Sequence, residues 1–122
     1  MQILVVDDER EIRDSVSEIL RIAGYKVLTA ADGEEARRCI ETEKISMMLM
    51  DLCMPGMNGE ELLMSLDKNP KRPPTLVITA LAPWQLMHLM KAGIGYIRKP
   101  INSALLLGAV ETVLRKEAAH ES

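Results

Sequence analysis

The stretch that decides the fold is MMLMDLCMPGMNG, residues 47–59. An apolar run ends in one carboxylate, Asp51, and a loop with one proline and two glycines follows at once. Apolar runs bounded by turn residues are typical of strands buried on both faces, as in a parallel sheet. Such sheets bind ligands beyond the carboxyl ends of their strands, where Asp51 is expected to lie. The alternative for Asp51 alone is a strand-ending residue that caps the next turn.

Outward from this stretch, the sequence predicts a strand followed by a helix five times over. The predicted strands are residues 2–6, 25–30, 46–51, 75–79 and 95–98. The first predicted helix has Ile12, Val16, Ile19 and Ile22/Ala23 inward and ends at Gly24. The second runs from Glu34 to about Glu41, and the third begins at Asn58 or Gly59. The fourth runs from Pro83 to about Met90, and the last begins at Asn102 or Ser103. This alternation predicts one α/β domain, residues 1–122, with a doubly wound five-stranded parallel sheet of order 2-1-3-4-5, three-layered and flavodoxin-like. The tail from about residue 117 is expected to fray.

Composition excludes several classes of function. The chain has 122 residues, of which 48% are apolar, and a net charge of −3 with both signs interspersed. Because there is no basic stripe, direct nucleic-acid binding by this chain is not expected. The sequence has no apolar run of membrane-spanning length and no signal-peptide pattern at its start, so we expect a soluble, cytoplasmic protein. Cys39 and Cys53 lack metal-ligand spacing and are predicted to be reduced thiols.

Acidic residues end both strands that flank the switch point of the predicted sheet. Asp7 and Asp8 follow the first strand and Asp51 ends the third, so these carboxylates should meet at one crevice. Like charges so close together favour a bound hard cation, and Mg²⁺ takes carboxylate and carbonyl oxygens. We expect Asp8 and Asp51 to be the main ligands, Asp7 to act partly through water, and a backbone carbonyl near Cys53 to add another oxygen. The alternative is that Asp7 and Asp8 form an acidic first turn that matches the helix dipole.

Two further strand ends bring a hydroxyl and an ammonium to the same edge. Thr79 ends the fourth strand and Lys99 follows the fifth. Donors of this kind suit the oxygens of a phosphoryl group, and an aspartate can accept that group as an aspartyl phosphate. Asp51 is therefore the predicted phosphoacceptor, with Thr79 and Lys99 as ligands of the phosphoryl oxygens. Each of the two residues alone has an ordinary alternative, a strand-end hydroxyl and a solvated lysine, and their joint occurrence carries the prediction.

Taken together, these motifs resemble the response-regulator receiver domains of two-component and phosphorelay signalling, with a fold like the chemotaxis regulators. The matching motifs run nearly end to end: LVVDDE (4–9), DLCMPGMNG (51–59), ITA (78–80), KAG (91–93) and YIRKP (96–100). The resemblance implies a phosphoprotein that accepts a phosphoryl group on Asp51, with Mg²⁺, from a histidine kinase or phosphotransfer protein. It implies a signalling domain that assists its own phosphorylation and dephosphorylation rather than an enzyme.

The same resemblance implies a conformational switch. Thr79 would turn toward the phosphate and Tyr96 would move into the space it leaves, which would change a surface made of the fourth helix, fifth strand and fifth helix. That surface is the expected site for an output domain, an effector protein or a homodimer partner. The resemblance also implies a cis peptide bond at Lys99–Pro100 that would direct Lys99 into the site.

Several alternatives stay open at this point. An Mg²⁺-dependent aspartyl-phosphate phosphohydrolase would normally carry an acid two positions after the nucleophile, where this chain has Cys53. A degenerate receiver that acts only as an interaction module would lack site residues that this chain keeps. The apolar helix after Thr79 fits either an ordinary core-facing helix or a docking or dimer face that exposes Trp84.

Overall fold

A five-stranded parallel sheet organises the part of the chain that the computed structural model describes, namely residues 1–52, 64, 71–91 and 94–121. Its strands are β1 (Gln2–Val6), β2 (Lys26–Ala30), β3 (Met47–Asp51), β4 (Thr75–Thr79) and β5 (Gly95–Arg98). They lie in the order β2-β1-β3-β4-β5, and each neighbouring pair is parallel. The predicted strand order is therefore confirmed.

Helices connect these strands. They are α1 (Arg10–Ile22), α2 (Gly33–Thr42), a 3₁₀ turn (Pro83–Leu86) that leads into α3 (Met87–Lys91), and α4 (Ser103–Glu121). The helix predicted from Asn58 or Gly59 lies outside the described residues, so α3 and α4 correspond to the predicted fourth and fifth helices. No helix in the described ranges has the length and apolarity needed to cross a membrane. Helix α4 extends beyond residue 117 to Glu121, and fraying of that tail in solution stays a prediction.

The side chains of the sheet alternate between two apolar clusters. On one face, Val6 and Met50 pack with Ala36 and Ile40 of α2 and with Leu86. On the other face the strands pack against α1 and α4, through Ile3, Val5, Val16, Leu20, Met47, Leu49, Leu76, Ile78, Leu106, Val110 and Leu114. Because successive strand residues point to opposite faces, strands buried on both sides read as continuous apolar runs. The structure is thus the predicted three-layer arrangement.

Helix α1 ends where the sequence predicted, but its buried stripe differs. Gly24 has φ +98° and donates its N–H to the Arg21 carbonyl, while the next N–H, that of Tyr25, bonds to the Leu20 carbonyl. This is a Schellman turn, which favours glycine at the left-handed position. The prediction that Ile22 or Ala23 faces inward is wrong, since 79% of the Ile22 surface is exposed and Ala23 is exposed as well. Ile22 lies about 200° around the helix from buried Leu20, because each residue turns an α-helix by roughly 100°.

The segment after β4 divides between core and surface. Leu86 and Leu89 are buried, whereas Trp84 is 76% exposed and Met87 is 54% exposed. The core-facing interpretation therefore holds for the two leucines. Trp84 and Met87 present apolar surface to solvent, and their use as a docking or dimer face stays a prediction.

Candidate functional site

The register of the sheet brings four strand ends to one edge. Val6 pairs with Met50, so the residues that follow them, Asp7 and Asp51, come level beside each other. Asp51 pairs with Ile78 and so lies one position before the level of Thr79. Thr79 pairs with Arg98, the last residue of β5, after which comes Lys99. Parallel strands end on the same side of a sheet, which is why sequence-distant polar residues converge here.

Three carboxylates form the acidic half of this site. One oxygen from each of Asp7, Asp8 and Asp51 lies within 4.8 Å of the other two. Asp7 and Asp51 are buried, and Asp8 is more exposed. Burial raises the pKa of Asp7, and the charges of Asp51 and Asp8 act in the same direction. A hydrogen bond of 2.9 Å from the Glu9 N–H to Asp7 Oδ1 and the charge of Lys99 oppose that rise in the pKa only in part.

Lys99 supplies the cationic half. Its Nζ lies 3.0 Å from Asp51 Oδ2 and 3.6 Å from Asp7 Oδ2, with 17% of the side chain exposed. Its backbone N–H donates to the Thr79 carbonyl at 2.8 Å, so the lysine is tied to the end of β4. Burial alone would lower the pKa of Lys99, but the hydrogen bond and charge of Asp51 and the charge of Asp7 outweigh it and raise that pKa. The peptide bond that follows, Lys99–Pro100, is cis as expected.

The two predicted switch residues lie on neighbouring strands. Thr79 is buried, and its Oγ1 accepts a hydrogen bond of 3.1 Å from the Leu81 N–H. That bond leaves the hydroxyl proton available for another acceptor. Tyr96 pairs with Val77 on β4 and is half-buried against the apolar cluster of α2. The predicted oxygen ligand at the Cys53 carbonyl lies outside the described residues.

One contact near the site was missed by sequence reasoning. Arg13 Nη1 donates a hydrogen bond of 2.8 Å to the backbone carbonyl of Asp7. On the sequence, Arg13 is one of several charges between the apolar positions of α1, a pattern that ordinarily indicates a solvated face. The one signal in the sequence was its position six residues after Asp7, which places it in the helix that directly follows the acidic residues.

The donor set fits a hard divalent cation. Asp7, Asp8 and Asp51 offer carboxylate oxygens, the ligand type that Mg²⁺ prefers, and their spacing allows a shared ion. Among the residues that the structure describes, Lys99 places one ammonium beside the buried carboxylates of Asp7 and Asp51. Three like charges held this close together favour the binding of a cation.

Comparison with known proteins decides the family. Residues 3–111 match the model of the response regulator receiver domain. The chain belongs to that family. The receiver domain is 31% identical over 118 residues to the transcriptional regulatory protein CpxR of Escherichia coli K12, covering 94% of this chain and 50% of that protein. It is 33% identical over 117 residues to the alkaline phosphatase synthesis transcriptional regulatory protein PhoP of Bacillus subtilis, covering 94% of this chain and 49% of that protein.

A solved structure supports the same assignment. The CheY-like receiver domain protein of Methanospirillum hungatei JF-1 has a TM-score of 0.88 and 33% identity, over 98% of this chain and 97% of that one. The receiver domain spans about half the length of the curated relatives named above. Receiver domains are signalling modules rather than classical enzymes, and the role that fits this one is that of a phosphoryl-accepting switch. The phosphohydrolase and the degenerate interaction module are not favoured.

The raised pKa of Asp7 predicts a stability difference that depends on pH. A carboxyl whose pKa is raised by folding stabilises the fold at low pH, and that contribution is lost as the pH rises through its folded pKa. We therefore expect Asp7→Asn, in Mg²⁺-free buffer near pH 7, to raise the free energy of unfolding by on the order of 1 kcal/mol. The gain should shrink toward zero below the ordinary pKa of aspartate. Urea unfolding at several pH values, with chelator present, measures it.

The matched control for this prediction is Asp14→Asn. Asp14 is an exposed carboxylate on α1 that pairs with Arg10 at 3.6 Å. Its removal should change the free energy of unfolding by no more than about 0.5 kcal/mol, because exposed ion pairs contribute little. Destabilisation by Asp7→Asn near pH 7, or a gain that ignores pH, would contradict the prediction.

Proposed function

We propose that this receiver domain acts in the cytoplasm and accepts a phosphoryl group on Asp51 from a sensor histidine kinase or phosphotransfer protein. The observation that carries the proposal is the position of Asp51, buried at a strand end between two other carboxylates and the Lys99 ammonium. An aspartate with a purely structural role would only be repelled by two further carboxylates at its side. An aspartate that accepts a phosphoryl group benefits from them, because together they can bind the cation that the transfer uses.

In the transfer step, a carboxylate oxygen of Asp51 forms a bond to phosphorus while the bond from phosphorus to the donor's imidazole nitrogen breaks. Lys99 already lies 3.0 Å from Asp51, within reach of an oxygen of the incoming group. The Thr79 hydroxyl can donate to another of those oxygens. Fixed donors of this kind stabilise charge that develops as the group transfers. They also favour hydrolysis of the acyl phosphate, so the domain would assist both its phosphorylation and its dephosphorylation.

Asp7, Asp8 and Asp51 would hold Mg²⁺, with the Cys53 carbonyl as a further oxygen. The ion would supply positive charge that offsets the phosphoryl oxygens beside three carboxylates. Asp7 is held in place for this role by the Glu9 N–H at 2.9 Å. Asp8 is more open to solvent than Asp7, which suits a ligand that must exchange water for an incoming ion.

The output of the switch would pass through Thr79 and Tyr96 to the surface made of α3, β5 and α4. Thr79 links the acidic residues to the strand of Tyr96, because it ends β4 and β4 pairs with β5. A new phosphate would draw the hydroxyl toward itself and leave space for the half-buried tyrosine. Two longer relatives are named as transcriptional regulatory proteins. We infer that this domain controls an output domain, an effector protein or a second copy of the chain, and binds no nucleic acid directly.

The test of phosphoryl acceptance is the intact mass of the wild-type chain after incubation with a small acyl-phosphate donor and Mg²⁺. We expect one phosphoryl group per chain, located on Asp51 by fragmentation, and none without Mg²⁺. Continuous release of inorganic phosphate from an unrelated phosphomonoester would favour the phosphohydrolase instead. No uptake from any donor would leave only the interaction module.

The switch is tested by amide hydrogen exchange before and after phosphorylation. We expect the largest changes in exchange at Gly95–Arg98 and in the first turns of α4, with β2 and α2 little affected. The reason is that Thr79 and Lys99 connect directly to β5 through backbone pairing. Exchange that changes only in residues next to Asp51 would contradict a switch that reaches this surface.

A further inference from the structure

We propose that Arg13 is a positioning residue that orients the acidic loop between β1 and α1, Asp7–Glu9, for Mg²⁺ binding, an inference that rests on the proposed metal site. Among the residues that the structure describes, Arg13 contacts no carboxylate. Its Nη1 instead donates 2.8 Å to the backbone carbonyl of Asp7. That carbonyl belongs to the peptide unit joining Asp7 to Asp8. The hydrogen bond therefore acts on the link between two of the three predicted ligands.

Orientation of this peptide unit decides where Asp8 points. A peptide is planar, so fixing its carbonyl fixes the direction in which the chain enters the next residue. The Asp7 side chain is fixed separately, by the Glu9 N–H on Oδ1 at 2.9 Å. Asp8 is the most exposed of the three acids, and packing restrains it least. The Arg13 bond thus restrains the backbone from which Asp8 departs.

Arg13 is itself held in place by the first turns of α1. Its N–H donates to the Glu9 carbonyl at 3.0 Å, and its carbonyl accepts the hydroxyl of buried Ser17 at 2.7 Å. The backbone of Arg13 is therefore fixed within α1, while its side chain is bonded to the acidic loop. Groups that orient metal ligands without touching the ion commonly change metal affinity about 10–100-fold when removed.

Charge and positioning predict opposite effects of removing this arginine. Loss of a positive charge near a divalent cation should, by Coulomb's law, leave Mg²⁺ binding unchanged or make it tighter. Loss of the hydrogen bond should make binding weaker, because Asp8 no longer departs from a fixed backbone. The sign of the change therefore separates the two roles.

The experiment compares Arg13→Met with Arg10→Met by calorimetric titration of the full chain with Mg²⁺. Arg10 lies in the first turn of the same helix and pairs with exposed Asp14, so its variant loses the same charge without touching the loop. We expect the Mg²⁺ dissociation constant to rise about tenfold in Arg13→Met and to stay equal or fall in Arg10→Met. Arg13→Lys, which keeps a donor on a long stem, should recover at least half of the loss on a logarithmic scale.

Two further measurements keep the inference open to refutation. Urea unfolding without Mg²⁺ shows that each variant folds, and the phosphorylation rate at saturating Mg²⁺ should stay within about threefold of wild type, since positioning affects ion binding first. An Arg13→Met dissociation constant equal to that of Arg10→Met would overturn the inference and leave the proposed function intact. A wild-type chain that binds no Mg²⁺ would overturn the metal site and this inference with it.

Discussion

Asp51→Asn is expected to take up no phosphoryl group under conditions that fully modify the wild type. The amide has no carboxylate oxygen to form an acyl phosphate, whereas its size is nearly that of aspartate. Its carbonyl oxygen can still accept from Lys99, which lies 3.0 Å from the native carboxylate. The fold should therefore persist. Intact mass and urea unfolding, measured on the same preparation, check both parts.

Asp8→Asn is the matched control for this loss. It also removes one carboxylate from the cluster, but it keeps the acceptor. We expect slower phosphorylation that recovers as Mg²⁺ is raised, because a weakened metal site can be filled by mass action. If Asp51→Asn were modified at the wild-type rate, the acceptor would be another residue, and the roles assigned to Thr79 and Lys99 would lose their basis.

The meeting of Asp7, Asp51, Thr79 and Lys99 could be predicted because it follows from topology. Strand-helix alternation makes the sheet parallel, a parallel sheet puts every carboxyl end on one edge, and each polar residue directly follows or closes an apolar run. Sequence patterns of this kind report where strands end, and the site is made of strand ends.

Contacts made by helix surfaces were not predictable in the same way. Ile22 belongs to the apolar pattern of α1 and is nevertheless exposed, because it lies about 200° around the helix from buried Leu20. Trp84 and Leu86 are both apolar and two residues apart, yet one lies outside and the other inside. Arg13 looks like any solvated charge until the loop folds back to it. Whether such a side chain is buried, exposed or bonded to a loop depends on the neighbouring elements, and hydrophobic periodicity carries no information about them.

Lys99→Met is expected to lose both phosphorylation rate and stability. Removing one preorganised donor from a transferring group costs roughly 10²–10³-fold in rate. In the apo domain the same change removes the ammonium from beside Asp7 and Asp51, and loss of a hydrogen bond between charged groups costs about 1.5–3 kcal/mol in the free energy of unfolding. The pKa of Lys99 is raised by folding, so this stabilisation is fully present below the lysine's ordinary pKa and is lost only as the pH rises through the folded value. Measurements near pH 7 should therefore show the full effect.

Mg²⁺ should partly rescue the stability of Lys99→Met but not its rate. A divalent cation among the three carboxylates can replace the missing positive charge, so Mg²⁺ should stabilise the variant more than the wild type. It cannot replace the donor that Lys99 offers to a phosphoryl oxygen. Lys99→Arg should likewise recover stability more than rate. It keeps the positive charge beside the carboxylates, but its planar guanidinium does not place a donor where the compact ammonium did. Lys26→Met, at the exposed start of β2, is the control and should change neither the rate nor the stability. If Mg²⁺ restored both the rate and the stability of Lys99→Met, the role of Lys99 would be to balance charge alone.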